Sequence, residues 1–245
     1  MGLTMNSITE KGSHMLSSAE QTALVEGSVS SALVSVFRGR FCDIVLHNRS
    51  AVSYKKDRVL YDLGNSTRTF FFIQHGFVKV GTVTREGREI IYDVRKDGDV
   101  VGELAACKPT RRDRAVALED TNAIPVPFSE IIDVLERSGM TAKLVDVFCD
   151  SLSEAYEQIN VLTYRDVLDR LIAVLRGLAI KIGRTAGDVV EIPNYLTQED
   201  ISQMVAARRE RVSTALNLLR RRGIVQYSNR GHLMLRVTEL ENFKA

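Results

Sequence analysis

The chain has 245 residues, 44% of them hydrophobic and 26% charged, with a formal net charge of +2. That size allows two modest domains, each with a buried core, and the balance is ordinary for a soluble globular protein. No run approaches the length of a membrane span, and the N-terminus lacks the basic-then-apolar layout of a secretory leader, so a cytoplasmic protein with no membrane partner is expected. Cys42, Cys107 and Cys149 lie far apart and form neither a metal-ligand pattern nor a disulfide framework. Three reduced thiols, no metal and no cofactor are the reading. No nucleophile–base constellation points to an enzyme. With a net charge near zero, the basic character of the C-terminal third is a local feature.

Residues 1–28 are rich in Ser, Thr, Gly and Glu and weakly periodic, which predicts a mobile tail leading into a short helix. Residues 12–15 read Gly-Ser-His-Met, a common cloning scar, although native-looking residues precede them. From 51 to 128 the texture becomes short β runs, at 51–54, 69–73, 77–83, 89–94, 115–119 and 123–127. Gly64-Asn65, Gly76, Glu86-Gly87 and Asp97-Gly98 punctuate them. Short strands at nearly even spacing with no helix between them predict a small antiparallel barrel or jelly roll, and hence a small-ligand pocket.

A short helix is predicted at 129–137 and a long one at 141–162. Along the second, Leu144, Phe148, Leu152, Ala155, Ile159 and Leu162 recur at spacings of four and three, an apolar seam close to the heptad type. Such a seam serves either an intramolecular core or a two-fold dimer contact. The chemistry of the C-terminal stretch favours the dimer. A further amphipathic helix at 165–182 turns Val167, Leu168, Leu171, Ile172, Leu175, Leu178 and Ala179 to a core.

The most informative stretch is Leu196 to Arg236. Thr197 is a ready N-cap with Asp200 three residues on, and Leu196 and Ile201 have the spacing of a hydrophobic staple. A helix at 198–205, a tight joint at Ala206-Ala207, and a second helix at 208–222 follow. Val212, Leu216 and Leu219 line one face of the second helix, and Glu210, Ser213, Thr214, Asn217 and Arg221 face the other way. Gly223 ends it, with Arg220, Arg221 and Arg222 suited to the negative end of its dipole. Two short β runs at 224–227 and 232–237, joined through Ser228-Asn229-Arg230-Gly231, complete the order of a winged helix-turn-helix.

That order points to reading of double-stranded DNA. Arg209 can grip guanine with two hydrogen bonds, Glu210 can accept from a cytosine amino group, and Ser213 and Thr214 can take either role. Arg208, Arg211, Arg221 and Arg230 are placed to hold phosphates, which give affinity without sequence choice. Asn217 shares the outward face. The alternative is a ligand-binding regulatory protein whose C-terminal domain docks another protein.

The succession of β-roll, long helix and winged helix-turn-helix resembles the catabolite-activator and fumarate–nitrate-regulator (CRP/FNR) family of bacterial regulators. The match is carried by Tyr61-Asp62-Leu63-Gly64, by Phe71-Phe72-Ile73 with Gly76-Phe77-Val78-Lys79-Val80, and by Gly98-Asp99-Val100-Val101-Gly102-Glu103-Leu104. In the head it is carried by Val205, Arg209-Glu210, Val212 and Leu219. The resemblance implies an α+β fold. A cyclic-nucleotide-binding-like antiparallel β-roll (a double-stranded β-helix) would span 29–140, a dimerisation helix 141–164 and a winged helix-turn-helix 165–245. It implies a homodimer on a palindromic operator, with RNA polymerase and an unidentified small effector as further partners. Thr214 stands where many members have a second arginine, and Ser213 is similar to the serine of the fumarate–nitrate branch.

For the effector, the resemblance places Gly102, Glu103 and Leu104 beside the ribose of cyclic AMP. By spacing, Asp113 and Arg114 fall where the family's phosphate-binding arginine and serine would stand, and Ala155-Tyr156 where the adenine would be touched. A carboxylate facing a phosphate in a half-buried site is repulsive, by several kcal/mol in order of magnitude, so ordinary cyclic AMP control is not expected, and a regulator responding to cyclic AMP or another small effector is the alternative. An iron–sulfur cluster needs four protein ligands in most cases, and three scattered cysteines do not supply them. His75, a lone histidine in a turn, reads as a surface residue rather than a haem ligand.

Overall fold

The computed structural model describes residues 44–108 and 110–243. The expected tail, its residues 12–15 and Cys42 lie outside the described residues. Eight strands come first: β1 (Val52–Tyr54), β2 (Val59–Tyr61), β3 (Thr69–His75), β4 (Val78–Val83), β5 (Glu89–Arg95), β6 (Val100–Val101), β7 (Arg114–Ala117) and β8 (Thr121–Pro127). They form two antiparallel sheets, in the orders β1-β8-β3-β6 and β2-β7-β4-β5. The run Thr-Phe-Phe-Phe-Ile of β3 shows why they stack. Successive side chains alternate faces, so Phe71 and Ile73 enter the space between the sheets with Val78, Ala115 and Ala117. Phe70 and Phe72 go to the other face with Ile124 and Val126. A strand buried on both sides has no polar alternation to show in its sequence.

That second face is roofed by α1 (Phe128–Arg137), whose Ile131 and Leu135 are fully buried against it. The long helix α2 (Thr141–Thr163) follows, still touching β5 through Glu154 and Gln158. Leu144, expected in the outward seam, instead packs against the Phe70–Phe72 core. The reason is that α2 begins beside α1 and its first turn still lies over the roll. Beyond it, Val145, Leu152, Tyr156, Ile159 and Leu162 are between 48% and 61% exposed, and Cys149 is exposed among them. Positions 145, 149, 152, 156 and 159 alternate spacings of four and three along one stripe, so α2 carries an uncovered apolar edge.

The C-terminal part begins with α3 (Val167–Ile182), which buries Leu171, Ile172, Leu175, Leu178, Ala179 and Ile182. Next come β9 (Arg184–Ala186), β10 (Val189–Ile192), α4 (Gln198–Val205), α5 (Arg209–Arg221), β11 (Val225–Tyr227), β12 (Leu233–Leu235) and a final turn of helix, α6 (Val237–Asn242). The strands form one antiparallel sheet in the order β11-β12-β10-β9. Val205, Val212, Leu216, Leu219 and Leu235 are buried at the centre of this part. Its apolar cluster is continuous with Phe77, Val94 and Leu118 of the roll, so the two parts share a packed contact. Among the described residues, no helix is long and apolar enough to cross a membrane.

Candidate nucleic-acid interface and the interior of the roll

The first helix of the head starts as its local chemistry dictates. The Thr197 hydroxyl accepts from Asp200 N–H at 3.1 Å, while the Asp200 carboxylate accepts from Thr197 N–H at 2.9 Å, a complete capping box. Leu196 and Ile201 are both buried beside it. The joint to α5 is made by Ala206 in the left-handed conformation, at φ 53° and ψ 44°. This single reversal sets α5 across α4. No side chain caps α5, because Arg208 occupies the cap position. The Arg209 and Glu210 N–H groups therefore have no side-chain cap, while the Arg211 N–H donates to the Arg208 carbonyl at 3.0 Å.

The faces of α5 divide cleanly. Val212, Ala215, Leu216 and Leu219 are buried, whereas Arg208, Arg209, Glu210, Arg211, Thr214, Asn217 and Arg221 are exposed and Ser213 is half-buried. The Thr214 hydroxyl donates to the carbonyl of Glu210 at 2.9 Å, which leaves it free only to accept and to offer its methyl. Arg208, Arg209, Arg211 and Arg221 have no carboxylate partner among the described residues. Arg230 is exposed in the wing between β11 and β12, whose tip is pinned by the Asn194 side-chain amide donating to the Arg230 carbonyl at 2.8 Å.

Three residues not assigned to DNA contact from the sequence share this surface. Arg220 lies with its guanidinium 5.3 Å from the ring of Tyr227. With Gln226 they line an open groove between α5 and β11, alongside Thr214, Asn217 and Arg221. The sequence position of Arg220 suits it to the negative end of the helix dipole. The turn at Gly223, where Ile224 N–H returns to the Leu219 carbonyl at 3.1 Å, leads the chain into β11 and so to Gln226 and Tyr227.

The interior of the roll is filled where the resemblance places the effector's phosphate. Asp113 is 1% exposed and accepts from the Tyr61 hydroxyl at 2.7 Å. Arg111, 3% exposed, stacks its guanidinium 3.8 Å over the Tyr61 ring. It donates to the carbonyls of Gly102, at 3.3 Å, and Thr69. Gly102 has φ +90°, and a Cβ there would meet Arg111 Nη1 and the Thr69 carbonyl at 2.9 Å each, so only glycine fits beneath the guanidinium. Burial pushes the Asp113 carboxyl above the usual aspartate range, opposed by the Tyr61 hydrogen bond and the Arg111 charge. Burial likewise raises Glu103, opposed by Arg95.

Arg114 turns away instead, with its Nε 3.4 Å from Asp62, and Leu104 is exposed. Ala155 and Tyr156 are exposed on α2, so they do not meet Glu103 or Asp113 within the chain. On α2, Glu154 lies 3.5 Å from Arg95 of the roll and the Gln158 amide donates to the Tyr92 carbonyl. Of the expected pocket, the structure brings together Gly102, Glu103 and Asp113, and adds Arg111 and Tyr61. The small-ligand space expected of a roll is occupied at this end by the protein's own side chains. The 52-residue separation of Tyr61 from Asp113 hid that pairing in the sequence.

A two-sheet roll, a long helix with an uncovered apolar edge, and a winged helix-turn-helix with an unpaired basic face define a DNA-binding transcription regulator. Residues 51–138 match the cyclic nucleotide-binding domain and residues 169–244 the Crp-like helix-turn-helix domain. The chain is 25% identical over 185 residues to the CRP-like cAMP-activated global transcriptional regulator of Mycobacterium tuberculosis, covering 75% of this chain and 83% of that one. It is 23% identical over 184 residues to the anaerobic regulatory protein of Bacillus subtilis, covering 74% and 77% of the two chains. Among solved structures, FixK2 from Bradyrhizobium japonicum superposes with a TM-score of 0.71 at 23% identity, over 80% of this chain and 98% of that one. The chain belongs to the CRP/FNR family of transcription regulators.

Proposed function

We propose that the protein binds a two-fold related DNA site as a homodimer, reads it with α5 in successive major grooves, and does so without cyclic AMP in the roll. The carrying observation is the outward face of α5, where exposed arginines without carboxylate partners surround Glu210, Ser213, Thr214 and Asn217. Arg209 and Glu210 choose bases, with Ser213, Thr214 and Asn217 beside them. Arg208, Arg211, Arg221 and Arg230 anchor the backbone. The apolar stripe of α2 is the dimer contact, with Leu152, Ala155, Ile159 and Leu162 facing a second copy. Paired half-sites then lie about one helical turn apart, roughly 34 Å. Two features of the roll speak against cyclic AMP: the Asp113 carboxylate at the phosphate position, and the Arg111–Tyr61 stack that fills the space.

The test is selection of duplexes from a random pool by the purified protein. Recovered sites with two-fold symmetry, bound equally well with and without cyclic AMP and lost steeply with added salt, are the expected result. Unsymmetrical sites overturn the two-fold reading, and a gain in affinity with cyclic AMP overturns the closed roll. For the dimer, Leu152→Asp with Ile159→Asp yields monomers by sedimentation, with operator affinity at least about 100-fold lower from loss of the paired contact. Mild oxidation also reports the register, since exposed Cys149 lies on the stripe and would face its counterpart across the axis. A covalent dimer lost in Cys149→Ser supports a parallel pairing.

A further inference from the structure

The head is fastened to the roll at two charged points and one aromatic stack, none of which uses the DNA-facing side of α5. On β4, the Lys79 ammonium donates to Asp200 at 2.8 Å and to Glu89 at 3.2 Å. All three side chains are at most 25% exposed. Asp200 is the same residue that closes the capping box of α4, so one carboxylate serves both the helix end and the roll. Burial pushes its carboxyl up, but hydrogen bonds from Lys79 and Thr197 outweigh that and leave it below the usual aspartate value.

On β5, Asp93 receives Lys181, from the last turn of α3, at 2.6 Å to each oxygen. The same carboxylate lies 2.7 Å from Arg95, which reaches Glu154 of α2 at 3.5 Å. This cluster therefore joins roll, long helix and head. Between the two points, the rings of Phe77 and Tyr195 stack with centroids 4.2 Å apart. Val94, at 0% exposure, continues the apolar contact.

Pairs this sheltered hold geometry as well as charge. They act on α3 and α4, and leave Arg208, Arg209, Glu210, Arg211, Thr214, Asn217 and Arg221 exposed. The docked head is thus already open to DNA. We propose that Lys79 and Lys181 are positioning residues for DNA recognition, holding each head at a fixed angle to α2 so that the two heads of a dimer reach both half-sites without first having to be oriented. This rests on the two-fold reading above. A fixed head raises the effective concentration for the second half-site and does nothing for the first.

The test measures binding of the full-length protein to two duplexes, one carrying the selected two-fold site and one carrying a single half-site. The variants are Lys79→Met, Lys181→Met and the double variant, with Lys79→Arg as the conservative control. The double variant should bind the two-fold site roughly tenfold more weakly, from loss of effective concentration alone. Its half-site affinity should be unchanged, which also shows that the head is folded, and Lys79→Arg should keep most of the two-fold affinity. Equal losses on both duplexes would reduce the lysines to general stability. A gain on the two-fold site would make the contact a restraint rather than a guide, and no change would remove it from recognition. Each of these overturns the proposal while leaving the two-fold reading intact. Wild-type protein that gains nothing from the second half-site overturns both.

Discussion

Arginine appears in this molecule in two opposite settings. In the roll, Arg95 and Arg111 are at most 7% exposed and every strong partner is internal: Asp93 and Glu154 for the first, the Tyr61 ring and two backbone carbonyls for the second. On α5, Arg208, Arg209, Arg211 and Arg221 are exposed and have no carboxylate partner among the described residues. A buried guanidinium costs several kcal/mol in desolvation unless its donors are met, so the roll must satisfy its own cations. An exposed one costs little and keeps its donors for a phosphate or a base edge. The roll meets most of these donors internally, leaving Arg111 Nε and one Asp113 oxygen without a hydrogen bond among the described residues, whereas the α5 guanidiniums stay open to a partner. Helical spacing alone marks the outward set on α5, whereas nothing in the local sequence marks Arg95 and Arg111 as buried.

Removing a guanidinium from each side breaks the comparison differently. Arg111→Met should destabilise the fold by about 2–4 kcal/mol, since the buried Asp113 keeps only Tyr61 and two carbonyls lose their donor. Urea denaturation measures this, and DNA affinity of the folded fraction should be unchanged. A loss below about 0.5 kcal/mol would mean that water enters and replaces the guanidinium. Arg209→Ala should do the reverse. Stability stays within about 0.5 kcal/mol, as for surface substitutions generally. Affinity for the selected site falls by roughly 1–3 kcal/mol, with discrimination relaxed at one base pair. If matched and scrambled duplexes weakened equally, Arg209 would be a phosphate contact and not a base reader.

What the sequence disclosed follows from the range of the interactions involved. The capping box at Thr197–Asp200, the staple at Leu196–Ile201 and the split faces of α5 all lie within one or two helical turns, and each shows in spacing alone. The family resemblance was legible for the same reason, because its motifs are contiguous. Strands β2 and β6, of three and two residues, are too short to show a period, and the β9–β10 hairpin is nearly as brief. The contents of the roll depend on contacts of longer range. Counting from Glu103 singles out Asp113, but its partner Tyr61 comes beside it through the pairing of β2 with β7, and Arg111 lies over the Tyr61 ring. Asp200 was legible as a cap, yet its second partner Lys79 is 121 residues away and reaches it only across the contact between roll and head.

The smallest effect concerns the joint that aims α5. Ala206 holds φ 53° although it carries a Cβ, and the left-handed region costs an ordinary L-residue about 1–2 kcal/mol. Ala206→Gly removes that strain, but glycine widens the unfolded ensemble by about 0.4–1 kcal/mol of entropy. The two nearly cancel, so a net gain of roughly 0.5 kcal/mol is expected, visible as a small rise in melting temperature. DNA affinity should not move, because the backbone of the turn is already the one glycine prefers. A loss of 1 kcal/mol or more would show that the Ala206 methyl, half-buried beside α4, contributes packing that outweighs its strain. The arginine face would then be held by a side-chain contact in the joint as well as by its backbone.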